Sequence, residues 1–320
     1  MDIKRIGILT SGGDAPGMNA AIRATVKAAN YYGIEAVGIF DGYLGLINEN
    51  FKVLSRVDVS GLNSKGGTIL GTARFPEFKE ESVRKQAVEI LKKHHIDALV
   101  CIGGDGTYMG AYKLSLLGVP CIGVPATIDN DIVSSEYTIG FDTALNTIVE
   151  CVDKIRDTSH SHQRCIIVEV MGRHCPDLAI RAGISCGAEY VLCDEKDYSD
   201  ELMLQIVKEA KEANKKNCII IVCEHTIPVS HIEKLLNNDG TYETRATILG
   251  HIQRGGSPSG FDRVLAARLA DYAVQLLKEG KTGVCVGVKG ETLTYMDIDE
   301  ANKLPKKKPV QLIEQSKHFI

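Results

Sequence analysis

The segment Pro125-Ala126-Thr127-Ile128-Asp129-Asn130-Asp131 sets two carboxylates around one asparagine. Two carboxylates at a strand's end are costly to hold that close unless a cation or a proton-transfer task requires them. One of them could accept the proton of a substrate hydroxyl as its oxygen attacks a phosphoryl group; a turn that caps the next helix is the plainer alternative. A second stretch, Gly103-Gly104-Asp105-Gly106-Thr107, holds a single carboxylate among glycines. Mg²⁺ favours one or two carboxylates plus phosphate oxygens and water, so Asp105 suits a metal on a nucleotide's phosphates; otherwise it caps a helix that begins near Tyr108. A third stretch, Thr10-Ser11-Gly12-Gly13-Asp14-Ala15-Pro16-Gly17, lets the backbone approach a ligand and leads into a helix start whose amides attract anions. A tight strand-to-helix turn would use the same residues. The P-loop pattern GxxxxGK[ST] does not occur in the sequence, which excludes that class of nucleotide enzyme. Gly104, Gly106 and Gly110 loosely match a dinucleotide fingerprint, but the next strand ends in Val124-Pro125 without the acid that would hold a ribose.

Elements that could position these loops are legible on either side of them. Arg5 to Leu9, Ile34 to Phe40, Ala98 to Ile102, Cys121 to Val124, Cys165 to Val170, Cys218 to Cys223 and Val284 to Val288 read as strands. Almost all are apolar throughout rather than alternating, so both faces are buried. That predicts a parallel sheet covered by helices on each side, the doubly wound α/β arrangement. Helices fit at Asn19 to Tyr32, Glu80 to Lys93, Tyr108 to Leu117, Thr143 to Arg156, Glu201 to Asn214 and Phe261 to Glu279. In such a sheet, ligands bind beyond the carboxyl ends of the strands, where all three loops fall.

The 320 residues exceed the usual single-domain length, and 44% hydrophobic content suffices for a sizeable core. No linker or short repeat marks a boundary. Thirty-seven Lys and Arg against 41 Asp and Glu leave a formal charge of -4. That provides no field to hold nucleic acid, so any anion must be bound locally. No stretch approaches the ~20 apolar residues that span a bilayer, and the charges in Met1-Asp2-Ile3-Lys4-Arg5 argue against a secretory signal. The ten cysteines include no Cys-x-x-Cys pair, and several lie in apolar runs, as expected of reduced thiols in a cytoplasm. Lys306-Lys307-Lys308 reads as a solvated turn.

With the three loops in view, the chain closely resembles the bacterial-type ATP-dependent 6-phosphofructokinases over nearly its whole length. The resemblance rests on Thr10 to Asn19, Gly103 to Gly106, Thr127 to Asp131, Met171-Gly172-Arg173, and Gly250-His251-Ile252-Gln253-Arg254-Gly255-Gly256. It implies two similar doubly wound, mostly parallel α/β domains: residues 1–139 with about 252–303 for ATP, and 140–251 with about 304–320 for the sugar phosphate. It implies transfer of the γ-phosphoryl group of ATP, with Mg²⁺, to the 1-hydroxyl of fructose 6-phosphate in a cytoplasmic homotetramer. Carried over by position, Asp129 is the base and Asp105 serves Mg²⁺. Thr127, Arg173 and the Gly13 amide support the transferring group, while Arg74, Phe75, Gly104, Gly106 and Thr107 lie along the nucleotide. Ile128, Met171, Gly172, Glu224, His251, Ile252, Gln253 and Arg254 belong to the sugar-phosphate site, which Arg164 and Arg245 of a neighbouring subunit complete.

In the family a second anion site is regulatory, with ADP activating and phosphoenolpyruvate inhibiting. The matching positions are Arg23, Lys27, Arg56, Arg156, Gly187, Ala188, Glu189, Lys215 and Lys216. Lys27, Ala213 and Asn217 stand where Arg, Lys and His are common, so weakened control is expected; Pro176 stands where Gly is frequent. Gly106 and Ala126, small and neutral, favour ATP over diphosphate as donor. An NAD-kinase-like enzyme would share only Gly103 to Thr107. A dehydrogenase lacks its ribose acid, and a non-catalytic nucleotide sensor would have no use for Asp129.

Overall fold

In the computed structural model, residues 3–318 are described. Contacts divide the chain into two compact units: the first holds the chain up to Ile128, Ile132–Thr143 and Arg254–Lys306, the second Asp129–Asp131, Ala144–Gln253 and the chain from Lys307 onward. The chain passes between the units after residues 128, 131, 143, 253 and 306, where the sequence reading has three crossings, after 139, about 251 and about 303, and keeps Asp129–Asp131 with the first.

The first unit contains β1 (Arg5–Ser11), α1 (Met18–Tyr31), β2 (Glu35–Ile39), α2 (Gly42–Ile47), β3 (Phe51–Val53), α3 (Glu81–Lys93), β4 (Ala98–Gly103), α4 (Asp105–Ser115) and β5 (Cys121–Pro125). It also holds the first three residues of α5 (Phe141–His162). The second unit carries the rest of α5, then β6 (Arg164–Val170), α6 (Asp177–Cys186), β7 (Tyr190–Leu192), α7 (Asp200–Glu212), β8 (Cys218–Cys223), α8 (Val229–Asp239) and β9 (Glu243–Ile248). The chain then returns to the first unit with α9 (Gly260–Lys278), β10 (Val284–Lys289), β11 (Thr292–Asp297) and α10 (Ile298–Lys303), and α11 (Val310–Ser316) belongs to the second.

The first sheet runs β11-β10-β5-β4-β1-β2-β3, parallel through its five inner strands and antiparallel only at its edges. Leu9, Leu99, Cys101 and Cys121 point to one face and pack with Leu46, Ala87, Leu91, Ala111 and Leu114 of α2, α3 and α4. Ile8, Val100, Ile102, Ile122 and Val124 alternate with them and are fully buried as well. Helices α1 and α9, packed on one another, meet β1, β4 and β5. Burial of both faces is the reason these strands carry no polar alternation. Helix α3 shows the complementary period, burying Arg84, Ala87, Val88 and Leu91 along one stripe. The second sheet, β7-β8-β6-β9, is wholly parallel, with its own core of Cys165, Ile167, Ile220, Val222, Met203, Val207 and Ile232.

Strands β3, β7, β9 and β11 are absent from the sequence reading. All four lie at sheet edges, where one flank meets no strand, and each carries mostly polar or part-exposed residues. Helix α5 runs to His162 rather than Arg156, and α2, α6, α8, α10 and α11 are absent from the sequence reading. Helix α4 begins at Asp105, not Tyr108; Gly104 is its cap, so Asp105 is the first helical residue and not a capping one. Among the described residues, no helix is long and apolar enough to cross a membrane. No cysteine is bonded to another, and eight of the ten are buried. Burial pushes the thiols of Cys175, Cys186 and Cys285 up to about 11.

Candidate active site

In the first unit, Ser11 pairs with Gly103 and Gly103 with Pro125. Strands β1, β4 and β5 therefore end at one level, and their three loops leave side by side. Strands β2 and β3 lie to one side of β1 and β4 and β5 to the other, so the winding reverses between β1 and β4. That is where a parallel sheet opens a crevice for ligands. The approach is tight: a Cβ on Gly103 would collide with the Ser11 carbonyl oxygen and with Thr107 Oγ1. Thr107 Oγ1 donates to the Ser11 carbonyl at 2.9 Å, and Tyr43 Oη donates to the Thr107 carbonyl at 2.6 Å. These buried bonds fix the start of α4 against the end of β1.

Neither α1 nor α4 has a side-chain cap; glycines 17 and 104 occupy the cap positions. Backbone amides at such helix starts are available to an anion. Cβ atoms on Gly104 and Gly106 would meet nothing within 4 Å, so space is open above the first turn of α4. Gly13 faces the Arg254 guanidinium, whose Nη1 lies 2.7 Å from where a Cβ would stand and donates to the Asp14 carbonyl at 3.0 Å. Asn19 anchors the neighbouring segment: it donates to the carbonyls of Lys65 and Gly66 and accepts from Ile69 N at 2.7 Å. That segment leads to Arg74 and Phe75, the latter tilted against Phe78. Thr127 and Ile128 follow β5, with Thr127 N donating to the Ile139 carbonyl at 3.0 Å.

The Asp105 carboxylate forms an ion pair with Lys306, so the lysine run is not simply a solvated turn. Among the described residues no three His, Cys, Asp or Glu side chains gather into a metal cage. A single partly exposed carboxylate that already holds a cationic group fits an ion arriving with phosphate oxygens, the way Mg²⁺ is usually held.

The second unit has a matching arrangement. Met171, Gly172 and Arg173 follow β6, Glu224 follows β8, and His251, Ile252 and Gln253 lie in a turn after β9. Register pairs Val170 with Cys223 and Glu169 with Ile248, so these ends are also level. Glu224 Oε1 accepts from Gly172 N at 3.2 Å and Arg173 N at 2.9 Å, while the wholly buried Gln253 accepts from Met171 N at 3.0 Å through Oε1. The backbone at Arg173 is left-handed, φ 57°, held there by these bonds. Asp129 and Asp131 are both buried, and Asn130 between them donates to Asp177 Oδ2 at 2.6 Å. Burial raises the Asp131 carboxyl above its usual range, opposed by the charges of Arg173, His174 and Lys307.

Arg164 and Arg245 are not with this group. Arg164 opens β6, seven residues before Met171, which along a strand is about 23 Å. Both arginines instead pair with Glu243, at 3.0 and 2.5 Å. Of the anion-site residues, Arg156 donates to the carbonyls of Cys186 and Gly187, Ala188 is buried, and Lys215 pairs with Glu189 at 3.1 Å; Lys216 is exposed. Arg23 and Lys27 project from α1, and Arg56 follows β3 in the first unit. Sequence reasoning overlooked Asp262, a fully buried carboxylate between the starts of α5 and α9. Its signal was present as Ser259-Gly-Phe-Asp262, the spacing of a reciprocal helix cap.

The sequence model described as phosphofructokinase matches residues 5–277. The ATP-dependent 6-phosphofructokinase of Tolumonas auensis is 55% identical, covering 92% of this chain and 92% of its own length; that of Vibrio cholerae is 54% identical, covering 93% of each. Among solved structures, phosphofructokinase from Saccharomyces cerevisiae superposes with a TM-score of 0.89 at 34% identity over 94% of this chain, which spans 45% of the yeast chain. A pyrophosphate-dependent phosphofructokinase from Marinobacter aquaeolei gives 0.85 at 19% identity, over 97% of this chain and 86% of that one, a likeness of fold alone.

The crowding at Gly103 and the open space at Gly106 predict opposite outcomes for one methyl group. Gly103→Ala should lose about 1–3 kcal/mol of stability through overpacking against backbone. Gly106→Ala, on a helix turn with room around it, should be neutral or gain up to about 1 kcal/mol. Chemical denaturation of both variants measures the difference.

Proposed function

Because the chain belongs to the phosphofructokinase family, we infer that it moves the γ-phosphoryl group of ATP to the 1-hydroxyl of fructose 6-phosphate, giving fructose 1,6-bisphosphate and ADP in glycolysis. The observation that carries the reading is the level ending of β1, β4 and β5, which sets two loops with uncapped, anion-attracting helix starts beside the loop that leads to Asp129. Phosphoryl transfer passes through a loose transition state that needs alignment and charge neutralisation more than covalent chemistry. Backbone amides at Gly13 and at the start of α4 supply fixed donors that need no reorganisation as charge develops. Arg74, Phe75, Gly104, Gly106 and Thr107 hold the nucleotide. Asp105, which pairs with Lys306 here, would hold Mg²⁺, and the ion would neutralise phosphate charge when bound with ATP.

On the acceptor side, Met171, Gly172, Glu224, His251, Ile252, Gln253 and Arg254 hold the sugar phosphate, and Arg173 and Thr127 support the transferring group. Arginine suits phosphate because its planar fork donates two parallel hydrogen bonds. Asp129 takes the hydroxyl proton as the oxygen attacks. Arg164 and Arg245, some 20 Å along the sheet from Met171, serve the acceptor site of a neighbouring copy, which makes the working enzyme an oligomer, a homotetramer in our reading, of the cytoplasm. The curated relatives leave the NAD-kinase-like, dehydrogenase and sensor readings without support.

ADP and phosphoenolpyruvate act at the second anion site, a reading supported by two local pairs, Arg156 with the Gly187 carbonyl and Lys215 with Glu189. Lys27 lacks the bidentate grip of arginine, and Ala213 and Asn217 offer fewer phosphate donors, so control is weaker than where those positions are cationic.

Asp129→Ser should lower turnover by roughly 10²–10⁴ in a coupled ADP-release assay while fructose 6-phosphate still binds. Unchanged turnover would remove Asp129 from the mechanism. Diphosphate offered as sole donor should give no turnover, since Gly106 and Ala126 provide neither the bulk nor the charge to replace a nucleotide. Titration with phosphoenolpyruvate should give shallow, hyperbolic inhibition; a steep sigmoidal curve would contradict weakened control.

A further inference from the structure

Asp262 is fully buried and takes no part in the chemistry described above. Its Oδ1 accepts from Gly140 N at 2.9 Å, and its Oδ2 from Thr143 N at 2.8 Å and Thr143 Oγ1 at 2.5 Å. The circuit closes through Ser259: its amide donates to Thr143 Oγ1 at 2.9 Å, and its hydroxyl accepts from Asp262 N at 3.2 Å and donates to Asp142 at 2.5 Å. Burial pushes the Asp262 carboxyl up to about 6, against the pull of these hydrogen bonds. A charge kept in such a place is costly unless something requires a group that accepts several bonds at once.

The segment it holds touches two of the three loops. A Cβ on Gly140, φ +105°, would lie 2.7 Å from Ala15 Cβ and 3.1 Å from the Pro16 carbonyl oxygen. A Cβ on Gly17, φ +108°, would lie 2.6 Å from Ile139 Cγ2 and 3.7 Å from Asp262 Cβ. The turn after β1 therefore rests directly on Ile139 and Gly140. The same residues grip the loop after β5: Ile139 N donates to the Pro125 carbonyl and Thr127 N to the Ile139 carbonyl, both at 3.0 Å, while Thr138 Oγ1 donates to the Thr127 carbonyl at 2.6 Å. Two residues beyond Thr127 stands Asp129. We propose that Asp262 is a positioning residue for phosphoryl transfer, setting the donor-binding turn Ala15–Gly17 and the loop that carries Asp129 in register with each other through Gly140. This rests on the phosphofructokinase reading of the site.

The carboxylate form matters because its two oxygens satisfy two backbone amides and a hydroxyl; an amide side chain brings one oxygen and sets an N–H donor against one of those backbone N–H donors. Misplacement of reacting groups by about 1 Å can cost 10²-fold in rate without loss of binding. Asp262→Asn and Thr143→Val should therefore lower kcat by about 10–100-fold, with KM for ATP and fructose 6-phosphate changed less than about threefold. Thr143→Ser, which keeps the hydroxyl, should restore most of the rate. In the same proteins the amides of Thr127 and Ile139 should exchange hydrogen faster than in the parent, a readout that does not depend on activity. Thr143→Val serves where Asp262→Asn does not fold. A lowered melting temperature with parental kcat and parental amide exchange would overturn the proposal and leave Asp262 a stability residue only. A parent protein that fails to phosphorylate fructose 6-phosphate would overturn the functional reading instead, and amide exchange would still decide whether Asp262 holds the loops.

Discussion

At Gly103 the ends of two strands and the start of a helix come so close that no side chain fits between them. This contact sets the level at which β1 and β4 stop, and the pairing of Gly103 with Pro125 transmits that level to β5. Everything proposed for the donor follows from it, because loops that begin at different heights could not face one ligand together. The chain has no positive net charge with which to attract a polyphosphate. In the proposed function, attraction comes instead from oriented amides at uncapped helix starts and a few cationic side chains, which act over short distances and only in the right place.

The strands buried on both faces were legible because an apolar run without alternation is stable only where each of its faces is covered. The edge strands were not: β9 reads Glu-Thr-Arg-Ala-Thr-Ile with only Thr244 buried, and its place in a parallel sheet is decided by pairing with β6, which leaves no local trace. For the site, each loop could be picked out from its own residues, since glycines and carboxylates at strand ends are a local pattern. Which loops stand together is a property of strand order. So is the separation of Arg245 from Met171, which pairing with β6 decides, whereas that of Arg164 follows from seven residues of extended strand. Asp262 escaped notice for a related reason, since its spacing from Ser259 suggests an ordinary helix cap, whereas its carboxylate serves residues about 120 positions away. Lys306 reads as one of three solvated lysines until the fold sets it against Asp105.

Both units use the same device, loops at the level ends of parallel strands, but they stabilise them differently. In the first, close approach of backbone at glycine does the work, supported by Thr107 and Tyr43. In the second, side chains replace it: Glu224 and Gln253 accept from three consecutive amides, Met171, Gly172 and Arg173, and hold Arg173 in a left-handed conformation it would not adopt alone. A turn held by side chains can be altered by a single substitution elsewhere, whereas one held by crowding resists change.

The distribution of sulfur has a consequence for how the protein survives stress. While the sheets are intact, most thiols are shielded and protonated, so oxidants have little to attack. Once a chain denatures, ten of them become accessible together, and cross-linking in air competes with recovery of the native state. Folding thus acts as the molecule's own antioxidant, and reversibility after heating depends on the reducing power of the surroundings as much as on temperature.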